Sequence, residues 1–462
     1  MNLTKTSRVF FSGIGGSGMS ALARLLLKMG YTVLGSDLKR NILTEELSAL
    51  GAQINIGQQA ENIENIDVLV ASTAIKPNNP ELLAAKELGI PVYRRAECLS
   101  WIMDQFSQRI AVTGTHGKTT TSSLLAKAFT DANCDPSFAI GSVLHDFNTN
   151  AALGSSDIFI AEADESDGSF LCLNPTHAIV TNLEEDHMDF FETVDSLYSH
   201  FNSFIDETLA RGGYLYLNAD DEQLMTLLGQ RNSKQLIYFS LNAKTQFQAK
   251  NIRLTEMGTQ FDVLVDGNCV DTVHLKLFGL HHVYNALSVI ALMYSYGIDL
   301  ALIKKGLESF SGVKRRFEFI GETRGVQVFD DYGHHPTEIT KTLEGIKHSS
   351  KKHITCIFQP HRYSRTHYLM DQFTSAFDAA DRVIITDVFS AQEKNDFGVS
   401  SAVMVKNISK HAHPDVQYIE SLDAISPYLC PILCNGDLVI TMGAGDVHQV
   451  SKVLLDDLKQ VV

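Results

Sequence analysis

The stretch Gly114-Thr-His-Gly-Lys-Thr-Thr-Thr holds the residue types that a phosphate cradle needs. Glycines let backbone N–H groups close around an anion, and a helix start adds the positive end of its dipole. Gly114, Thr115, His116, Gly117 and Thr120 are candidate lining residues, Lys118 is a point charge for the outer phosphates, and the Thr119 hydroxyl is a candidate Mg2+ ligand. Against the general pattern G-x-x-x-x-G-K-[ST] the match is partial, because position 112 is Val rather than Gly. The bland alternative is a glycine-rich turn with an incidental lysine.

Two acidic runs follow. Ile158-Phe-Ile-Ala-Glu-Ala-Asp-Glu brings Glu162, Asp164 and Glu165, and Asn182-Leu-Glu-Glu-Asp-His brings Glu184, Asp186 and His187. Carboxylates beside a phosphate loop suit Mg2+, a hard cation that takes one or two of them together with phosphate oxygens and water. Glu162 reads as lying within an otherwise apolar strand, where a lone charge is expensive and calls for a metal or cation partner. His187 is the less usual ligand, since a buried histidine more often only satisfies a hydrogen bond. Asp164 and Glu165 also read as helix-capping or loop acids.

A third cluster pairs Asp330-Asp331-Tyr-Gly-His334-His335-Pro with Gln359-Pro-His361-Arg362-Tyr-Ser-Arg365. Cations at two successive strand ends point to an anion, either a carboxylate or a phosphate in transit, because a guanidinium fork matches both. A solvated basic loop is the alternative. Near the start, Gly13-Ile-Gly15-Gly16-Ser17-Gly18 is a G-x-G-x-x-G with Asp37 about 20 residues on, the pattern that seats a pyrophosphate and holds a ribose hydroxyl. NAD is one of several ligands that would fit it.

These residues need strand ends to hold them. Val9–Ser12, Tyr31–Asp37 and Asp67–Thr73 read as parallel strands, with helices over 19–29 and 96–106 closing a first unit at residue 107. Residues 109–113 form a buried strand leading into the phosphate loop, a helix spans 119–132, and buried strands begin near 158 and 178. In an open α/β sheet the ligand lies off the carboxyl ends, so all six acidic and histidine residues should converge on the loop. Between 214 and 280 the alternation marks a β-rich part, followed by helices over 282–296 and 300–309. After Gly312, strands at 326, 354, 382 and 437 resume the βα pattern. The predicted fold is α/β in three domains: an N-terminal Rossmann-like domain (1–107), a central P-loop ATPase-like mixed α/β domain (108–313) and a C-terminal Rossmann-like domain (314–462).

Composition narrows the function. A chain of 462 residues with 44% hydrophobic and 20% charged residues is an ordinary globular protein of two to four domains. A net charge of −16 with no basic patch disfavours a nucleic-acid partner. The seven cysteines form no C-x-x-C pair and read as reduced thiols. Glycines break the first apolar run at once, and no stretch is long enough to span a bilayer, so a cytoplasmic enzyme without membrane insertion is expected. Whether it is a monomer or a homodimer is left open. A hydride-transfer enzyme would use only the first glycine cluster, whereas two anion cradles with Mg2+ suit ATP-driven joining of a nucleotide-bearing substrate to a second molecule.

In order and over the whole length, Gly13-Ile-Gly-Gly-Ser-Gly-Met, Gly114-Thr-His-Gly-Lys-Thr-Thr-Thr, Glu162-Ala-Asp-Glu-Ser-Asp, Asn182-Leu-Glu-Glu-Asp-His, Arg315-Arg-Phe-Glu, Asp330-Asp-Tyr-Gly-His-His-Pro and Gln359-Pro-His-Arg-Tyr-Ser-Arg-Thr resemble the Mur ligases. The nearest branch is the one that joins L-alanine to the carboxylate of UDP-N-acetylmuramate through an acyl phosphate. The resemblance implies that Lys118 steadies the β- and γ-phosphates of ATP, that Thr119 and Glu162 hold one Mg2+, and that His187 holds a second. It places Gly13, Gly15, Gly16, Ser17 and Gly18 at the UDP pyrophosphate, with Asp37, Ser72 and Thr73 near the uridine. Asn285, Arg316 and Asp331 would border the nucleotide, His334 and His335 the reaction centre, and Arg362 and Arg365 the acyl phosphate or the incoming alanine. The short loop is this family's usual form.

Two departures stand out. Many members have Gly-x-His-Asn-x-x-Asn at the adenine site; here the run is Gly279-Leu-His281-His282-Val-Tyr-Asn285. The carbamylated lysine of later-acting members falls at Asn202, and its absence agrees with the alanine-adding branch. A ligase that recycles an intact tripeptide and, in a different class, an NAD-dependent oxidoreductase are the rival readings.

Overall fold

The computed structural model describes residues 1, 3–255, 257–349, 352–411 and 415–460. Its strands form three sheets. The first holds β1 (Arg8–Ser12), β2 (Thr32–Asp37), β3 (Gln53–Ile56), β4 (Val68–Ala71) and β5 (Val92–Arg94) in the order β3-β2-β1-β4-β5, every pair parallel. The glycine cluster follows β1, and the helix after it spans Ser17–Lys28. Ser17 and Gly18 therefore belong to the first helical turn, two residues before the predicted start. The helix predicted over 96–106 is Arg95–Met103.

The second sheet is built on β6 (Gln108–Thr113), β7 (Ser137–Leu144), β8 (Thr149–Ala152), β9 (Ile158–Glu162), β10 (His177–Val180), β11 (Tyr214–Asn218) and β12 (Leu236–Ser240). Its order is β12-β11-β10-β6-β9-β7-β8, with β6 between β10 and β9. Only β7 and β8 pair antiparallel there, a hairpin the sequence reading does not contain. Gly141 and Ser142 break the apolar alternation of β7 and hide it. β13 (Phe247–Thr255), β14 (Gly258–Val265) and β15 (Asn268–Leu275) follow as successive neighbours. They bear out the β-rich part, although a helix, Glu222–Leu228, interrupts it.

The chain divides into two compact units, one of residues 1–248, 265–268 and 285–309, the other of 249–264, 269–284 and 310–462. The first predicted domain and most of the second thus share one unit, while 249–264, 269–284 and 310–313 of the predicted central domain fall in the other. Val9, Phe11 and Leu22 lie in the same apolar cluster as Ala111, Phe159 and Phe201. Polar contacts reinforce this: Asn150 Nδ2 donates to the Ser17 carbonyl at 3.1 Å, and Ser100 Oγ to the Cys172 carbonyl at 2.6 Å.

The third sheet belongs to the other unit. Its strands are β16 (Glu318–Thr323), β17 (Val326–Asp331), β18 (Ile354–Phe358), β19 (Arg382–Ile385), β20 (Val416–Tyr418) and β21 (Leu438–Met442), in the order β16-β17-β21-β18-β19-β20. All pairs are parallel except β16 with β17. Period-two alternation sends Ile354, Cys356 and Phe358 into one apolar cluster and Ile357, with Ile384 and Val439, into another, so helices cover both faces. β21 separates β17 from β18, and the crevice of such a sheet opens at that reversal of strand order. Among the described residues no helix is long and apolar enough to cross a membrane, and all seven cysteines are free.

Candidate active site

The carboxyl ends of β6, β9 and β10 lie side by side, so the loops that leave them meet. Gly114 follows β6 with φ +123°, and a Cβ there would fall 2.2 Å from Thr181 Oγ1. Gly117, at φ +84°, turns the chain into the helix Lys118–Asp131, and a Cβ there would sit 2.6 Å from Asn285 Oδ1. Asn285 is thereby placed against the loop. Asn182 pins the other side, accepting Thr115 N at 3.2 Å on its carbonyl and His116 N at 2.8 Å on Oδ1. Thr115 Oγ1 accepts Glu184 N at 2.8 Å, and His116 Nε2 lies 3.3 Å from Glu184 Oε2.

Lys118, its side chain 14% exposed, donates to the Gly114 and Thr115 carbonyls at 2.7 and 2.9 Å and to Glu165 Oε1 at 2.9 Å. Burial disfavours its charge, but the carboxylates of Glu165, Asp164 and Glu162 outweigh that and hold its pKa above the ordinary value. Burial pushes Glu165 up to about 7 against the pull of Lys118. Glu165 is therefore the counter-ion of the phosphate-loop lysine, not the capping acid of the sequence reading; spacing alone did not show which of two neighbouring acids would turn inward. Asp164 does act as a loop acid, since its Oδ1 accepts Ser166 N at 3.1 Å. Burial would raise its pKa, yet Lys118 and that N–H hold it below the usual range.

Glu162 is the last residue of β9, not a mid-strand charge. Its Oε1 accepts the Thr119 hydroxyl at 2.8 Å and its Oε2 the Gly141 N–H at 2.7 Å. The unforeseen hairpin thus supplies a partner that the sequence reading sought in a cation. A hydroxyl and a carboxylate side by side form the oxygen donor set that a hard divalent cation takes, so Thr119 and Glu162 fit Mg2+. His187, in the left-handed region at φ +56°, places Nε2 3.5 Å from Asp186 Oδ2 and 3.7 Å from Glu165 Oε1. Glu162, Asp164, Glu165 and Glu184 thus border the phosphate loop directly, and His187 with Asp186 joins them through Glu165.

At the first glycine cluster, Asp37 Oδ2 accepts the Gly15 N–H at 2.8 Å and Asn41 Nδ2 donates to the Gly15 carbonyl at 3.1 Å. Asp37 shapes the loop itself, besides any ribose contact. A Cβ on Gly13 would meet Ser72 at 3.3 Å, and Thr73 beside it is exposed. Arg95, absent from the sequence reading, lies over Gly18: a Cβ there would stand 3.1 Å from its Cδ. Its charge also helps hold Asp164 ionised.

In the other unit, Asp331 accepts Phe317 N at 2.7 Å and Gly333 N at 2.6 Å, and burial lifts it to about 6 despite Arg316. Arg315 reaches Asp330 at 3.1 Å and the Gly443 carbonyl at 2.6 Å, and Arg316 Nη1 is 3.7 Å from Glu338 Oε1. Glu338 also takes the backbone N–H groups of His334 and His335, at 3.0 and 3.2 Å. His361 Nδ1 faces Arg365 Nη1 at 3.3 Å, and its ring stacks on Phe389 at 5.5 Å. Burial, then Arg365, Arg362 and Arg315, pull His361 down to about 3, so the ring is neutral and Nδ1 accepts. His282 is buried and likewise held well below the ordinary value, by burial first and then by His281 and Arg316.

Three family models match the chain in succession: "Mur ligase family, catalytic domain" over residues 8–107, "Mur ligase middle domain" over 112–293 and "Mur ligase, glutamate ligase domain" over 315–445. The UDP-N-acetylmuramate--L-alanine ligase of Geotalea uraniireducens is 41% identical over 455 residues, 98% of this chain and 99% of its own. That of Alkaliphilus metalliredigens is 41% identical over 456 residues, 98% of each chain. Among solved structures, the UDP-N-acetylmuramate-alanine ligase MurC of Thermotoga maritima superposes with a TM-score of 0.82 at 27% identity, covering 98% of this chain and 99% of its own. A murein peptide ligase of Psychrobacter arcticus reaches 0.70 at 27% identity, covering 99% of each.

Proposed function

The chain belongs to the Mur ligase family, and from that premise we propose that it joins L-alanine to the carboxylate of UDP-N-acetylmuramate, with ATP converted to ADP and phosphate, in peptidoglycan precursor synthesis. The observation that carries the reading is the meeting of Lys118, the Thr119–Glu162 pair and His187 at three adjacent strand ends. In this reading Lys118 exchanges part of its contact with Glu165 for the β- and γ-phosphates. The muramoyl carboxylate attacks the γ-phosphorus and ADP leaves. The L-alanine nitrogen then attacks the acyl carbon, loses a proton, and phosphate departs. Thr119 with Glu162, and His187, would hold Mg2+, which when bound offsets the charge of one anion approaching another. The chain's own part is to orient the two anions and exclude water.

Gly13, Gly15, Gly16, Ser17 and Gly18 take the UDP pyrophosphate, with Asp37, Ser72 and Thr73 toward the uridine. Asn285, Arg316 and Asp331 take the nucleotide, His335 borders the reaction centre, and Arg362 and Arg365 receive the carboxylate of alanine as guanidinium forks. The divisions 1–107, 108–313 and 314–462 correspond to UDP-sugar, ATP and amino-acid binding, and a cytoplasmic location accords with the use of ATP. Phosphate release from ATP with UDP-N-acetylmuramate, comparing L-alanine, D-glutamate and the tripeptide, tests this. Turnover with L-alanine alone is expected; turnover with the tripeptide in its place would assign the chain to recycling.

A further inference from the structure

The turn that presents Arg362 and Arg365 is held from outside by a segment to which nothing so far gives a role. Glu393 accepts Ser364 N at 3.1 Å and Ser364 Oγ at 2.8 Å, and its Oε1 lies 4.0 Å from Arg362 Nε. A second tie runs beside it: Arg362 N donates to the Phe389 carbonyl and Phe389 N to the Pro360 carbonyl, both at 2.8 Å. Three residues with side chains occupy the left-handed region here, Arg362 at φ +69°, Ala391 at +48° and Gln392 at +70°. That conformation is disfavoured wherever a Cβ is present, and it persists only where the surroundings over-determine it. Ala391 and Gln392 immediately precede Glu393, so the two strained residues set the position of its carboxylate. The Arg362 side chain is 39% exposed and that of Glu393 25%, and an ion pair as long and as solvated as this one adds little to stability. Its effect lies in aim.

We propose that Glu393 is a positioning residue for the amino-acid acceptor: it fixes the turn at Ser364 and the direction of the Arg362 guanidinium, and so sets how the carboxylate of the incoming amino acid is gripped. The inference rests on the assignment of Arg362 and Arg365 to that carboxylate. His361 supports the same arrangement from the other side, as a neutral acceptor for Arg365. Gln359, which opens the turn, is fixed by its Oε1 accepting Val447 N at 3.1 Å. Pro360 is tied to Phe389 and Ser364 to Glu393, so the backbone on both sides of Arg362 is anchored.

The test is steady-state kinetics of Glu393→Ala and Glu393→Gln, with hydroxylamine as a second acceptor. Hydroxylamine attacks the same acyl phosphate and releases phosphate but carries no carboxylate to be gripped. Glu393→Ala is expected to raise KM for L-alanine about tenfold or more, with KM for ATP and for UDP-N-acetylmuramate and the hydroxylamine rate near those of the parent. Glu393→Gln, which keeps an acceptor for Ser364 and loses the charge facing Arg362, should fall between. An unchanged L-alanine KM in both variants overturns the proposal, as does an equal loss with both acceptors accompanied by a lower Tm. Arg362→Ala run in parallel separates the two levels. If it raises the L-alanine KM and Glu393→Ala does not, this inference alone fails; if neither does, the assignment of the arginines fails with it.

Discussion

Two of the loops that carry cations in this enzyme are built on opposite principles. The Lys118 loop turns on glycines, and its charge is held against two carbonyls and a carboxylate before any ligand arrives. The Arg362 loop turns on a residue with a side chain, leaves its guanidinium partly exposed, and is steadied by a neutral histidine and an outlying glutamate. Glycine lets backbone N–H groups close on a phosphate, where charge density matters more than direction. A carboxylate gripped by a guanidinium fork needs direction above all. On the proposed assignment, a polyanion meets a preformed cage and a small zwitterion an aimed fork.

The sharpest way to break this comparison is Lys118→Ala. Loss of ligation by about a thousandfold or more is expected, with UDP-sugar binding by calorimetry nearly intact. The change also leaves Glu165 buried without its counter-ion and costs stability, partly offset because a carboxyl already lifted to about 7 takes up a proton. Lys118→Ala combined with Glu165→Gln should recover most of that stability in urea unfolding while restoring no ligation. A double variant as unstable as the single one would show that Glu165 is not the counter-ion that matters. Gly114→Ala comes next. A methyl 2.2 Å from Thr181 Oγ1 at φ +123° forces the loop to move, and a drop in ATP turnover of about a hundredfold is expected, against a far smaller effect of Ala391→Gly, where the left-handed turn tolerates glycine. Arg365→Lys keeps the charge but loses the fork, so KM for L-alanine should rise about tenfold with KM for ATP unmoved.

The two loops also differ in how far the sequence disclosed them. Strand bodies such as Ile158–Ala161 and Leu438–Ile440 are continuous apolar runs, as expected of buried parallel strands. That places the loops at strand ends, and the lysine cage could be read almost whole because its glycines and threonines are contiguous. What stayed hidden depends on contacts between distant segments. Gly141 N–H reaching Glu162 and Arg95 lying over Gly18 join residues 21 and 77 positions apart, and no local periodicity encodes such pairs. Glu393 was hidden for the same reason, since its partner Ser364 is 29 residues away. Asp37 was found but given only an outward role, because a carboxylate after a strand looks the same whether it faces a ribose or the loop backbone.

The smallest expected effect is a pH dependence that separates the two cation sites. His361 is neutral in the folded protein down to about pH 3, held there by burial and then by Arg365, Arg362 and Arg315, while His334 faces it at a ring separation of 5.9 Å. In the unfolded chain it gains a proton near 6.5. Between those values the unfolded state binds more protons, so the stability contributed by a neutral His361 is present above about 6.5 and is lost as the pH falls. The slope from this one group is at most about 1.4 kcal/mol per pH unit. His361→Asn keeps an acceptor for Arg365 and removes the titration. Its urea-unfolding stability should therefore fall less than that of the parent between pH 6.5 and 5, while its L-alanine KM at pH 7.5 stays within about threefold. Equal acid sensitivity in the two proteins would mean that His361 is charged in the fold. The guanidinium of Arg365 would then face a second cation, and the aimed fork would need another support.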